Sequence, residues 1–202
     1  MTTALELFSG YGIFSQVCRA TGRKSITIDI NPKLNPDICC DLLNFDFSTI
    51  EDTINIIWSS VPCTCFSRAS SPDHWAKKVI SRYNYDYTAL TLLAETSIKL
   101  LAKTFEAINY FKPSLWIIEN PVGRLRHMQL MRSTGHYRYS VNYKDFGFDY
   151  SKETDLFTNQ LFNFSDKKVT YPGRSVSDLF GAQNRSKIPP GLVYKILEQA
   201  II

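Results

Sequence analysis

Ile54-Asn55-Ile56-Ile57-Trp58-Ser59-Ser60-Val61-Pro62-Cys63-Thr64-Cys65-Phe66-Ser67 carries an apolar run into a proline and a cysteine. The run is short, rich in β-branched residues and ends at a turn signal, so it reads as a buried strand. Pro62 stops the strand and turns the backbone into a loop. Cys63 therefore stands just past the carboxyl end of a buried strand, where open α/β sheets bind their ligands. That place suits a nucleophile. Taken alone it suits a small buried filler equally well, so the surrounding segments decide.

Upstream, Ala4-Leu5-Glu6-Leu7-Phe8 reads as a short strand, Ser9-Gly10-Tyr11-Gly12 as a turn, and Ile13 to Ala20 as a helix ending near Gly22. Glycines at such a turn let the backbone approach a ligand, and the helix start offers free N–H groups. Ser15 stands where the dinucleotide fingerprint needs its third glycine, which disfavours a pyrophosphate site. Ser25 to Ile30 alternates and reads as a second strand with Asp29 at its end. An acid there suits ribose hydroxyls, and equally a cap before Pro32. Asp37 to Leu43 reads as a third short strand leading to Asp41, which suits an adenine amino group or a turn cap.

Downstream, Ser67 to Tyr87 interleaves basic and aromatic residues, among them Arg68, Ser70, His74, Trp75, Lys77, Lys78, Arg82, Tyr83 and Tyr87. It reads as a long connection suited to phosphate contacts and base stacking, or as a solvated loop running into a helix. Thr88 to Tyr110 is helical in pattern, with Ala94, Ile98, Leu101, Phe105 and Ile108 on one stripe. Pro113 ends it. Leu115 to Ile118 is the next buried strand, with Glu119 at its carboxyl end. A charge leaving a buried strand needs a partner. Arg124 or Arg126 would give a structural one; Cys63, at the matching end of another strand, argues for chemistry. His136 to Tyr143 reads as a strand, and Gly191 to Ile202 as a closing helix with Leu192, Ile196, Leu197 and Ala200 inward.

At 202 residues, 44% hydrophobic and 21% charged, the chain suits one domain with a full core. A net charge of +4 is a mild basic bias, compatible with a polyanionic partner. Five cysteines without secreted-domain spacing imply a reducing, cytoplasmic setting. Cys39, Cys40, Cys63 and Cys65 do not match zinc-ligand spacing, so no metal is expected. The amino terminus lacks the character of a signal peptide, and no apolar run approaches the roughly 20 residues that span a bilayer.

Four segments, in order, resemble motifs of the DNA cytosine-5 methyltransferases. Glu6-Leu7-Phe8-Ser9-Gly10-Tyr11-Gly12 is similar to the family's first motif. Asp29 and Asp41 fall where the family binds the ribose and adenine of S-adenosylmethionine. Pro62-Cys63-x-x-Phe66-Ser67 resembles its nucleophile motif, and Glu119-Asn120-Pro121 its Glu-Asn-Val motif. The resemblance implies an α/β, Rossmann-like methyltransferase fold, a mostly parallel sheet with helices on both faces, in a single catalytic domain over residues 1–202. It implies S-adenosylmethionine held by Glu6, Phe8, Ser9, Gly10, Tyr11, Gly12, Asp29, Ile30, Asp41, Leu42 and Pro62. It makes Cys63 the nucleophile, Glu119 the acid, Asn120 a hold on Glu119 or on the exocyclic amine, and Lys152 a grip on the base or backbone, with Ser67, Arg68, Pro121 and Thr154 binding substrate. The implied partner is DNA, flipped from a duplex or single-stranded, with a protein partner helping target recognition. The same chemistry on RNA or a cytosine nucleotide, and a non-catalytic binding subunit, are the alternatives.

The chain also departs from the pattern. Tyr150, Lys152 and Thr154 stand where the family carries Gln-x-Arg-x-Arg, and Lys does not replace Arg in geometry. Shorter viral and phage-type relatives resemble the chain here. Gln183-Asn184-Arg185-Ser186-Lys187-Ile188-Pro189-Pro190 is similar to the last, cofactor-lining motif without its glycine. About two dozen residues between Asn159 and Arg185 are too few for a separate target-recognition domain.

Overall fold

The computed structural model describes residues 2–68, 71–81, 84–165 and 187–202. Ser70, Arg82, Tyr83 and residues 183–186 of the last motif lie outside them. Seven strands form one sheet: β1 (Thr3–Leu7), β2 (Lys24–Asp29), β3 (Ile38–Cys39), β4 (Ile54–Ser59), β7 (Leu115–Pro121), β8 (Tyr137–Asn142) and β9 (Glu153–Thr158). Their order is β3-β2-β1-β4-β7-β9-β8. The first five are parallel. Only β9 runs against its neighbours, inserted between β7 and β8. The chain winds outward through β1, β2 and β3, then returns to place β4 on the other side of β1. The order reverses there, and in open α/β sheets the crevice outside that switch point takes the ligand.

Both faces of the sheet are covered, as strand alternation requires. Leu5, Leu7, Ile57 and Ile118 pack on one face with Leu101 and Phe105 of α2 (Leu92–Phe111). Ala4, Ile56, Trp58 and Ile117 pack on the other with Phe14 and Val17 of α1 (Ile13–Ala20) and Leu192 and Ile196 of α4 (Pro190–Gln199). Trp58 is fully buried and stacks on Phe14 at 5.0 Å. Each large side chain so enclosed contributes about 1.5–3 kcal/mol. Two cores divided by one sheet make the fold α/β with a mostly parallel sheet.

Three expectations are corrected. The third strand is only Ile38–Cys39; Asp41 lies beyond it and accepts the Leu43 amide at 3.0 Å, capping a short turn. The Ser67–Tyr87 segment is neither loop nor helix start but contains an antiparallel hairpin, β5 (Trp75–Ser81) with β6 (Asn84–Ala89). Its strands pair only with each other, so most of β5 stays exposed and no buried alternation marks it in the sequence. The hairpin takes residues as far as Ala89, and α2 begins at Leu92, where the Thr91 hydroxyl accepts the Ala94 amide at 3.2 Å. Within α2, Ala94, Leu101 and Phe105 of the expected stripe are buried and Ile108 packs against the core; Ile98 alone of the five is exposed, and Ser97, Thr104 and Ala107 are buried beside them. The buried hydroxyls are satisfied: Ser97 donates to the Leu93 carbonyl and Thr104 meets Ser59 at 2.9 Å. A short helix α3 (Gln129–Arg132) follows β7.

Candidate active site

At the carboxyl end of β1 the backbone turns sharply. Phe8 takes φ 55°, unfavourable for a residue with a side chain, and Gly10 and Gly12 take φ 52° and 63°. Gly12 is the N-cap of α1. Nothing lies within 4 Å of where a Gly10 side chain would begin, so the turn is open on that face. Asp29, at the end of β2, accepts the Gly10 amide at 2.8 Å and the Asn31 amide at 2.8 Å, tying the turn to the second strand. Ile30 beside it is 65% exposed, an apolar surface at the same edge. Asp41 and Leu42 follow on the next connection, Asp41 partly exposed and Leu42 buried. Lys187 sits 4.6 Å above the Tyr11 ring, which brings the end of the last motif against the turn. Ser9 is buried and its amide donates to the Ile28 carbonyl.

Glu6 takes a different place from the other turn residues. It is 1% exposed, faces α1, and accepts the Ser15 amide at 2.9 Å. Burial pushes its carboxyl up to about 7, against hydrogen bonds from Ser15 and the charge of Arg19. It anchors the helix beneath the turn.

The second half of the site spans β4 and β7, parallel neighbours with Ser59 opposite Ile118. The loop after β4 is fixed at several points. The Ser60 amide donates to the Leu7 carbonyl. Asn120, fully buried, donates from Nδ2 to the Val61 carbonyl at 2.7 Å. The Arg124 amide donates to the Phe66 carbonyl at 2.6 Å, and Ser67 bridges to Gly123. A side chain at Gly123 would start 2.1 Å from the Phe66 carbonyl oxygen, so only glycine permits this approach. The amides of Phe66 and Ser67 both donate to the Cys63 carbonyl, closing one turn behind the cysteine. Pro62 and Cys63 are exposed at its edge.

Glu119 is 6% exposed. Its Oε1 accepts the Tyr143 hydroxyl at 2.7 Å and lies 3.6 Å from Lys152 Nζ. The structural alternative, a pair with Arg124 or Arg126, is not the arrangement. Arg126 instead forms a bidentate pair with buried Asp155 at 2.8 and 2.6 Å, which fixes the segment after β7 to β9. Lys152 also lies 4.6 Å above the Tyr143 ring. Desolvation pushes the Cys63 thiol up and the Glu119 charge adds to it, while Lys152 pulls it back. Lys152 and Glu119 form a pair at 3.6 Å, and the charges of both bear on the Cys63 thiol. Pro121 pairs with Thr154 across β7 and β9, and Thr154 is fully buried. Arg68 stands apart, 70% exposed and 3.6 Å from Glu153, on the rim of a cavity of about 370 Å³ also lined by Arg126, Asn142 and Phe146. Among the described residues there is no metal-binding cluster, and no helix is long and apolar enough to cross a membrane.

Sequence reasoning missed Tyr143 and Gly123. Tyr143 ends an alternating run, and Gly123 carries no local signal because its partner Phe66 is remote in sequence.

The fold is that of the α/β methyltransferases. Similar solved structures include one described as a DNA modification methyltransferase encoded within an E. coli prophage, with TM-score 0.55 and 14% identity, covering 78% of this chain and 46% of that one. Another is the Entamoeba histolytica methyltransferase EhMeth, with TM-score 0.50 and 15% identity, covering 80% and 54%. The chain thus spans about half the length of these structures. In sequence it is 28% identical over 161 residues to a protein of Frog virus 3 (isolate Goorha) described as a probable DNA (cytosine-5)-methyltransferase, covering 77% of this chain and 69% of the relative. No family model matches the chain. By sequence the chain is similar to that viral protein, and it shares the fold of these solved structures.

Proposed function

We propose that the chain transfers a methyl group from S-adenosylmethionine to carbon 5 of cytosine in DNA, through a covalent adduct at Cys63. One observation carries this reading. Cys63 and Glu119 stand at the carboxyl ends of adjacent parallel strands, with the open glycine turn of β1 on the other side of β4.

The residues around the turn fit the cofactor. The open face at Gly10, the exposed Ile30 and the carboxylates of Asp29 and Asp41 offer close backbone approach, an apolar surface for a purine and acceptors for hydroxyl and amino groups. When bound, S-adenosylmethionine supplies an electrophilic methyl group on a sulfonium.

On the base side, carbon 5 of cytosine is too weak a nucleophile alone. The Cys63 thiolate adds to carbon 6, and the displaced electron pair moves through the ring to nitrogen 3. Cysteine suits this step because even a small thiolate fraction is strongly nucleophilic. Glu119 gives nitrogen 3 a proton, help worth typically about 10²–10⁴ in rate. Asn120 holds the Cys63 loop through Val61 and so sets the distance between sulfur and acid. Lys152 balances the charge between the two. After methylation a base removes the carbon-5 proton, and the Cys63 thiolate leaves. The target must lie outside the stack, flipped from a duplex or already single-stranded. Ser67, beside the Cys63 turn, and Pro121, at the end of β7, would be the nearest residues to contact it.

The test is methyl transfer from labelled cofactor to DNA by the wild type and by Cys63→Ala. The variant is expected to bind cofactor normally and to transfer nothing. Undiminished transfer by the variant, or wild-type transfer to RNA or free nucleotide with none to DNA, overturns the reading.

A further inference from the structure

We propose that Tyr143 is a positioning residue that fixes which oxygen of Glu119 carries the proton delivered to the base; this rests on the reading above. Tyr143 begins the turn after β8 and is fully buried. Its amide donates to the Lys152 carbonyl at 3.0 Å, and its ring packs edge-on against Phe148 at 5.7 Å. Packing alone would be served by phenylalanine. A hydroxyl in that core is costly unless bonded, and this one donates to Glu119 Oε1 at 2.7 Å.

The Lys152 ammonium approaches the same atom, at 3.6 Å. Two donors therefore converge on Oε1, and a proton on this carboxyl sits on Oε2. Burial and the Glu119 charge hold the Tyr143 hydroxyl well above the ordinary phenol range, so it remains a donor throughout the working pH range. When the Oε2 proton passes to ring nitrogen 3, the negative charge left behind spreads over both oxygens. Tyr143 and Lys152 already face the share on Oε1, and no group has to reorganise. When the adduct breaks, the proton returns to Oε2. Tyr143 and Lys152 thereby hold the acid in a chain that lacks the Gln-x-Arg-x-Arg pattern.

Tyr143→Phe keeps the ring and removes the hydroxyl. Two rates report on it. One is kcat for methyl transfer. The other is exchange of the cytosine carbon-5 hydrogen with labelled water in the absence of cofactor. That exchange needs only thiolate addition at carbon 6, protonation at carbon 5 and reversal with loss of the original hydrogen. Both rates are expected to fall by about 10- to 100-fold, with unchanged KM for DNA. Placed on Glu119→Gln, Tyr143→Phe is expected to add no further loss. Phe148→Leu loosens the same packing, keeps the hydroxyl and is expected to leave both rates within about twofold. Active wild type with both Tyr143→Phe rates unchanged overturns this inference and leaves the proposed function standing. A loss in Phe148→Leu equal to that in Tyr143→Phe overturns it too, assigning the effect to packing. Absence of both transfer and exchange in the wild type overturns the function itself.

Discussion

Around the glycine turn, the hydrogen bonds join near neighbours, and Lys187 over the Tyr11 ring is the long-range contact. Glu6 reaches Ser15, nine residues on, and Gly10 reaches Asp29, 19 residues on. Around Cys63 and Glu119 the contacts span the chain. Asn120 and Val61 are 59 residues apart, Arg126 and Asp155 are 29 apart, and Tyr143 and Glu119 are 24 apart. The hydrogen bonds of the cofactor half come from one strand–turn–helix–strand unit folding on itself. The base half exists only once β4, β7, β8 and β9 have assembled. The two halves should therefore fail separately, and a substitution in one should leave the other's binding or chemistry in place.

Gly123→Ala is expected to break the base half most deeply among substitutions outside the reacting groups. An added methyl meets the Phe66 carbonyl at 2.1 Å, so the Cys63 loop must move away from β7. A shift of an ångström at a reacting centre costs about 10²-fold in rate. Methyl transfer and cofactor-free hydrogen exchange should fall together by about that factor, while cofactor affinity, measured calorimetrically, stays within about twofold. A parallel loss of cofactor binding would show that the halves are not separable.

Asp29→Ala is the opposite cut. It removes the acceptor that ties the Gly10 amide to β2 and a carboxylate from the ribose edge. Cofactor affinity is expected to weaken about tenfold or more, each tenfold being about 1.4 kcal/mol. Hydrogen exchange at cytosine, which needs no cofactor, should be retained. Equal loss in both assays would mean that the turn also supports the Cys63 loop, through the Ser60–Leu7 contact.

The same contrast explains what the amino-acid sequence made legible. The helix from Ile13 to Ala20 could be read to the residue, because turn glycines and apolar spacing are local signals. The places of Asp29, Cys63 and Glu119 at strand ends could be read for the same reason. What could not be read depends on pairing. Lys152 meets Glu119 only because β9 inserts antiparallel between β7 and β8, and nothing near Lys152 announces that. Tyr143 hides in an alternating run whose last residue turns inward to an acid on another strand. β5 is exposed along most of its length, so it carries no buried periodicity to read.

The smallest expected effect belongs to Glu6, under the turn and away from both reactants. Its carboxyl lies at about 7 in the folded chain against 4.5 for the unperturbed group, chiefly because it is buried. The folded state therefore binds this proton more tightly than the unfolded state does. The stabilisation is fully present below about 4.5 and is lost as pH rises through about 7. Glu6→Gln keeps an acceptor for the Ser15 amide and carries no charge, so its stability should stay level across that window. Cys18, close by, is pushed up to about 12 by burial and by the Glu6 charge and does not titrate there. His127 and His136, lowered by burial, favour the folded state as pH rises, but both proteins share them. The difference between the two melting curves then isolates Glu6: the wild type should lose ground to Glu6→Gln between about pH 4.5 and pH 7, with cytosine exchange unchanged. Curves that stay parallel would place this carboxyl's titration outside that range, and the anchor of α1 would then be indifferent to pH.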